Sequence, residues 1–243
     1  METEAPSSAS PEGSVATPIV TVRDLERNYQ QGAITVRALR GVDLEIAPGE
    51  FTALMGPSGS GKTTLLNQIG ALDTPTRGQV FIEEQDLTRL SSGELSDLRL
   101  RRLGFIFQSY NLIPVLSALE NAEFVLMLRG VPAAERRKTV IETLHAVGLA
   151  GMEHRRPSEL SGGQQQRVAV ARAIAGKPAL VLADEPTANL DSKTGDDLIA
   201  LMKQLNEENG ITFVFATHDP KVMDAARRVI RLEDGMIKED LRK

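Results

Sequence analysis

Between Phe51 and Ile69 the chain reads as an apolar run, Phe51 to Met55, then Gly56-Pro57-Ser58-Gly59-Ser60-Gly61-Lys62-Thr63, then a helix carrying Leu65, Leu66 and Ile69 on one face. No other stretch limits the fold so sharply. The middle segment matches G-x-x-x-x-G-K-[ST]: the glycines let backbone N–H groups curl round phosphate oxygens, the lysine supplies a point charge and the hydroxyl reaches Mg²⁺. That chemistry requires strand, loop and helix in this order, with the unpaired N–H groups and dipole of the helix N-terminus directed at the anion.

The rest of the chain supplies a sheet for that unit. Ile19 to Val22 and Val36 to Ile46, bounded by Gln31-Gly32 and Pro48-Gly49, read as antiparallel strands. Asp73 to Gly78 reads as a turn and Gln79 to Ile82 as a strand. Glu94 to Leu103 reads as a helix, and Gly104 to Phe107 as a buried strand ending at Gln108. From there to Leu160 the pattern is helical, with Ser117 and Pro132 as starts, which predicts an inserted helical subdomain over about 109–165. A helix follows over Gly162 to Ala175, a strand over Leu180 to Ala183, a helix over Lys193 to Glu208 and a strand over Ile211 to Ala216. Strands alternating with helices predict a largely parallel sheet covered on both faces.

Composition removes several classes of function. The net charge of −5 over 243 residues argues against a nucleic-acid binder. Arg99, Arg101 and Arg102 read as a solvated helix face within that balance. Cysteine is absent, which removes disulfides and cysteine-ligated zinc. Residues 1–18, rich in Ser, Ala, Pro and Glu, have no basic start and no apolar stretch, so they are expected to be a disordered tail rather than a secretory leader. The longest apolar runs, such as Phe124 to Leu128, fall far short of the ~18 to 20 residues that span a bilayer. Any membrane part is therefore expected on another polypeptide.

Two further signatures follow the phosphate loop: Leu160-Ser161-Gly162-Gly163-Gln164, opening a helix, and Ala179-Leu180-Val181-Leu182-Ala183-Asp184-Glu185, an apolar strand ending in two carboxylates. Carboxylates at the C-terminal end of a strand stand where ligands bind in open α/β sheets, and successive strand residues point to opposite sides, so the pair can do two jobs. With these three signatures in this order, the chain from about Ile19 to about Asp240 resembles the ABC ATPase family. The implied fold is a P-loop NTPase (RecA-like) α/β core with an N-terminal antiparallel β subdomain and an inserted α-helical subdomain, residues 19–243 forming one ATPase domain. The resemblance implies ATP and Mg²⁺ as ligands, with Gly56 to Thr63 and Thr64 around the phosphates and Thr63 and Asp184 toward the metal. It assigns Glu185 to orienting and deprotonating the attacking water. Gln108 resembles the Q-loop residue that touches Mg²⁺ and that water, and His218, after Phe215-Ala216-Thr217, resembles the H-loop histidine. Tyr29, placed between the first two expected strands, is similar to the ring that stacks on adenine, with packing against a neighbouring strand as the competing account. Ser161, Gly162, Gly163 and Gln164 would cap the nucleotide of a second protomer. Asp191 resembles the D-loop residue at the dimer centre and also reads as a helix cap.

The resemblance implies a homodimer that closes on two ATP and drives separate integral-membrane permease subunits from the cytoplasmic face of the inner membrane. Phe107-Gln108 with Asn111 to Pro114, Leu119-Glu120-Asn121, Arg156 to Ser161 and Leu182 to Thr187 look most like the lipoprotein-release and macrolide-efflux branch (LolD-like and MacB-like ATPases). Glu123 to Arg137 departs from any diagnostic pattern, leaving the cargo open. An FtsE-like ATPase signalling to cell-wall hydrolases without solute transport is the alternative. DNA-repair and translation members of the family would show a long coiled-coil insertion or two cassettes, and neither is present. The apolar segment Tyr110 to Leu116 is expected to line a groove for a permease helix, or to pack into the helical subdomain.

Overall fold

The computed structural model describes residues 17–243. Nearly all of the expected tail lies outside the described residues. The elements run β1 (Val20–Gln31), β2 (Ile34–Ile46), β3 (Phe51–Met55), α1 (Lys62–Ile69), β4 (Arg77–Ile82), β5 (Gln85–Asp86), α2 (Ser92–Arg102), β6 (Leu103–Ile106) and α3 (Ala118–Leu128). Then follow α4 (Ala133–Ala146), α5 (Gly162–Ile174), β7 (Leu180–Asp184), α6 (Ser192–Asn209), β8 (Thr212–Ala216), α7 (Pro220–Ala225), β9 (Arg228–Glu233) and β10 (Met236–Arg242).

Two sheets organise them. The larger has six strands in the order β10-β9-β3-β8-β7-β6, parallel throughout except for the β9–β10 hairpin. Its central strands are apolar at almost every position because both faces are covered. Alternation then sorts their side chains. Phe51, Ala53, Val181, Ala183, Phe213 and Phe215 share one core with residues of α3, α4, α5 and α6, while Leu54, Leu180, Leu182, Val214 and Ala216 share the other with α1, β1, β2 and β4. In the first core Phe51 meets Phe213 and Phe215 at ring-centroid distances of 5.7 and 4.6 Å. Burying each ring contributes about 1.5–3 kcal/mol.

The second sheet is antiparallel, in the order β2-β1-β4-β5, so the expected N-terminal pair recruits the strand after α1 as well. Helix α1 packs between the two sheets, which fixes the direction of its N-terminus. Strand β1 continues through bulges to Gln31, well past the expected end at Val22. Tyr29 therefore lies inside β1, opposite Val36, and not in a connection.

Helix boundaries follow their caps. Ser91 and Glu94 form a reciprocal capping box, so α2 starts at Ser92, two residues before the expected Glu94. Ser117 and Glu120 do the same for α3, and Pro132 immediately precedes α4. Between β6 and α5 the regular structure consists of α3, α4 and one 3₁₀ turn at Pro157–Glu159.

The β9–β10 hairpin was not expected. Its turn residues Asp234 and Gly235 have φ 49° and 75°, the positive values a two-residue hairpin turn needs. Arg228, 6% exposed, ties the hairpin down through Glu50 at 2.9 Å, Asp240 at 2.7 Å and the Glu45 carbonyl at 2.6 Å.

Candidate functional site

The loop Gly56–Gly61 joins the C-terminal end of β3 to α1, and its shape is dictated from behind. Gly56 has φ 147°, and a Cβ there would come within 2.1 Å of the Leu232 carbonyl on β9. Gly235 of the hairpin turn donates its N–H to Ser60 O at 3.1 Å. Pro57, Ser58 and Gly59 form the exposed rim, while Ser60, Gly61 and Lys62 are buried. Lys62 Nζ turns back to donate to the Gly56 and Pro57 carbonyls at 2.7 and 3.1 Å. No carboxylate pairs with the ammonium of this buried lysine among the described residues, and Ser60 Oγ is buried without a hydrogen-bond partner. A buried cation with only neutral partners and an orphaned hydroxyl in one glycine-shaped loop suit an anion with several acceptor oxygens. The residues present therefore fit a nucleotide phosphate.

Beside the loop, Thr63 Oγ1 donates to Asp184 Oδ1 at 3.0 Å, joining the start of α1 to the end of β7. Burial pushes the Asp184 carboxyl above the usual aspartate range. The Thr63 bond opposes this, the adjacent Glu185 charge adds to it, and Lys62 opposes it. A hydroxyl and a carboxylate side by side are the oxygen ligands a hard divalent cation prefers, so Thr63 and Asp184 fit Mg²⁺.

Glu185 is the first residue beyond the strand. Its N–H still reaches Ala216 O at 2.9 Å, and its φ of 45° places it in the left-handed region, at a cost of about 1–2 kcal/mol for a non-glycine residue. Two groups at the end of β8 hold its carboxylate: Thr217 Oγ1 donates to Oε2 at 3.1 Å and His218 Nδ1 lies 2.7 Å from Oε1. The His218 ring is mostly exposed, whereas Thr217 is fully buried.

Gln108 follows β6, the neighbour of β7, and its carbonyl accepts from Asn189 Nδ2 at 2.9 Å. The signature residues stand apart from this chain's own loop. Ser161 caps α5, with Ser161 Oγ accepting from Gln164 N at 3.3 Å and Gln164 Oε1 accepting from Ser161 N at 2.9 Å. Gly163 packs so closely on Thr194 of α6 that a Cβ would come within 2.3 Å of its methyl group. Asp191 caps α6, its Oδ1 accepting from Thr194 N at 3.0 Å. Tyr29 donates its hydroxyl to Asp73 Oδ2 at 2.7 Å, and the Arg27 guanidinium sits 4.5 Å from its ring centroid. The structure thus gathers Gly56–Thr63, Asp184, Glu185 and His218 at the carboxyl ends of β3, β7 and β8, with Gln108 adjoining. It leaves Tyr29, Asp191 and Ser161–Gln164 in surroundings of their own.

Residues 39–188 match the family described as ABC transporter. The chain belongs to that family. It is 48% identical to the lipoprotein-releasing system ATP-binding protein LolD of Anaeromyxobacter dehalogenans, over 93% of this chain and 95% of the relative. It is 44% identical to the macrolide export ATP-binding/permease protein MacB of Syntrophobacter fumaroxidans, over 91% of this chain but only 31% of that longer protein. The structure superposes with a TM-score of 0.85 on the dimeric, post-hydrolysis ATP-binding cassette MJ0796 of Methanocaldococcus jannaschii bound to ADP and Pi, 45% identical over 92% of this chain and 98% of that one. This ABC cassette is an ATPase of the LolD-like and MacB-like branch, binding ATP with Mg²⁺.

Four side chains that shape the site escaped the sequence reading. Thr217 orients Glu185, Gln166 donates to Pro186 O at 2.8 Å, and Arg172 Nη2 donates to Tyr110 O at 2.8 Å. The fourth, Asn121, binds Ile113 N at 2.8 Å and the Leu116 carbonyl at 3.0 Å. Thr217 meets a side chain 32 residues away, and Gln166 and Arg172 meet carbonyls 20 and 62 residues away, so no local spacing marks them; Asn121 folds back on its own preceding loop.

Proposed function

We propose that this cassette works as a head-to-tail homodimer that closes on two ATP·Mg²⁺, opens after hydrolysis, and drives a membrane permease of lipoprotein release or a related export process. The observation that carries the hydrolytic half is the Glu185 carboxylate held between Thr217 and His218, one residue from the carboxylate bonded to Thr63. Thr63 and Asp184, with Gln108 adjoining, would hold Mg²⁺, which when bound neutralises charge on the phosphates. Lys62 and the loop N–H groups orient the γ-phosphate. Glu185 takes a proton from water as its oxygen attacks the γ-phosphorus and the bond to the β-phosphate oxygen breaks, giving ADP and phosphate. His218 keeps the carboxylate aimed. Tyr29 offers its ring to adenine.

The dimeric half rests on Ser161–Gln164: Ser161 and Gln164 bond to each other and Gly163 packs on Thr194 of α6, leaving the α5 N-terminus for a partner's nucleotide. Asp191 of each protomer would face the dimer centre while still capping its helix. Residues of about 109–165 would move as a unit with the permease at the cytoplasmic face of the inner membrane. No helix among the described residues is long and apolar enough to cross a membrane itself.

Within that unit Val115 is 72% exposed, whereas Leu112 packs against the core. Val115 is therefore the better probe of permease contact. Val115→Glu should leave the ATPase of the isolated subunit unchanged and abolish its stimulation by the co-purified permease in liposomes. Undiminished stimulation would place the permease contact elsewhere, and failure of any membrane protein to co-purify would remove the transport reading.

A further inference from the structure

The two segments that carry the reacting groups leave the sheet together and are rejoined by one side chain. The β6–β7 ladder ends at the pair Ile106–Ala183. Beyond it, Asn189 Nδ2 donates to the Gln108 carbonyl at 2.9 Å. Asn189 is itself firmly placed. Ala188 N donates to Glu185 O at 3.2 Å and Leu190 N to Thr187 O at 3.0 Å, so the chain from Glu185 to the α6 cap at Asp191 is a succession of tight turns. Gln166, fully buried, anchors the same segment through Pro186 O at 2.8 Å. On the other side, Gln108 precedes Tyr110 and Asn111, whose φ values of 59° and 49° are left-handed and whose carbonyls both accept from Arg172.

Gln108 thus starts a strained turn pinned further on by α5, and its own peptide is pinned by Asn189. Rotation of that peptide would swing the Gln108 side chain, and misplacing a group at a reacting centre by about 1 Å can cost about 10²-fold in rate. We propose that Asn189 is a positioning residue that locks the Gln108 peptide to the segment bearing Glu185, so that the glutamine amide and the carboxylate keep one relative placement. This rests on reading Gln108 as the side chain that meets Mg²⁺ and the attacking water. The amide donor is essential to it. An aspartate at the same place would set a carboxylate oxygen against the Gln108 carbonyl.

The test is steady-state ATPase kinetics on the full chain with MgATP, alongside thermal melts. Asn189→Ala and Asn189→Asp should lower kcat roughly 10- to 100-fold, with KM for ATP and Tm close to the parent. Asn189→Gln, which keeps a donor on a longer stem, should recover part of the loss. In a double-mutant cycle Asn189→Ala should add nothing to Gln108→Ala, since both remove one placement. If Gln108→Ala is slow while Asn189→Ala turns over at the parent rate, the tether is refuted and the Gln108 reading stands. If Gln108→Ala itself turns over normally, the Gln108 reading falls and the tether with it. A common loss of kcat, KM and Tm in the Ala, Asp and Gln variants would also overturn the proposal, since that marks a purely structural residue.

Discussion

At the scale of single residues the site divides two adjacent carboxylates by environment. Asp184 and Glu185 were legible in the sequence because an apolar run ending in two acids marks the carboxyl end of a sheet strand, although Glu185 lies just beyond the strand with a left-handed φ that alternation does not foresee. Their partners were not legible. Thr63 lies 121 residues before Asp184, and Thr217 lies 32 after Glu185, separations that only the sheet order closes. The raised Asp184 carboxyl has a consequence for pH. A carboxyl that burial holds protonated to higher pH must lose that proton before it can serve a cation, so Mg²⁺ affinity should fall with acidification at a pH above the usual aspartate range. Isothermal titration of Mg²⁺ into the ADP-bound protein across mildly acidic pH should show the loss. Asp184→Asn should bind weakly and without that pH dependence, and a wild-type profile flat through this range would argue against Asp184 as the metal's carboxylate.

At the scale of elements, the parallel strands β3, β6, β7 and β8, α1 and the helices between Ser117 and Glu159 were readable from apolar runs and capping residues. The β9–β10 hairpin was not. Arg228, Arg231 and Glu233 interrupt the apolar residues of β9, and β10 is charged at Lys238, Glu239, Asp240 and Arg242, which dilutes the apolar signal, although Asp234-Gly235 is a turn dipeptide that could have revealed the hairpin. Its omission concealed the support behind the phosphate loop, since Leu232 and Gly235 press on Gly56 and Ser60. Arg228 is the fastening. Replacing it by methionine leaves Glu50 without its most buried cation partner and should destabilise the fold by roughly 2–4 kcal/mol in urea denaturation. Hydrogen bonding from Arg228 holds the Asp240 carboxyl below the usual aspartate range, against the effect of burial. A depressed carboxyl contributes stability that is present above its unfolded value and is lost as pH falls through the folded one. The difference between parent and Arg228→Met should therefore be full at neutral pH and shrink only in acid below the ordinary aspartate range. A difference under about 0.5 kcal/mol at neutral pH would show that the hairpin is held by its ladder alone.

At the scale of the whole molecule, the proposed dimer divides each nucleotide site between two protomers. Lys62 lies in the phosphate loop, and Ser161 lies at the start of a helix that bonds to no part of that loop. Lys62→Ala should accordingly weaken nucleotide binding by the isolated protomer, whereas Ser161→Arg should spare it and block closure, as fluorescence titration with an ATP analogue would show. Equal loss in both variants would count against a site shared between protomers. The most direct test of the account replaces only the oxygen that takes the proton. Glu185→Gln keeps the loop, Thr63 and Asp184, so it should bind Mg²⁺ and ATP, lose about 10²- to 10⁴-fold in turnover, and run as a stable dimer in size-exclusion chromatography with light scattering when ATP is present. A Glu185→Gln protein that hydrolyses ATP at the parent rate, or stays monomeric in saturating ATP, would contradict it.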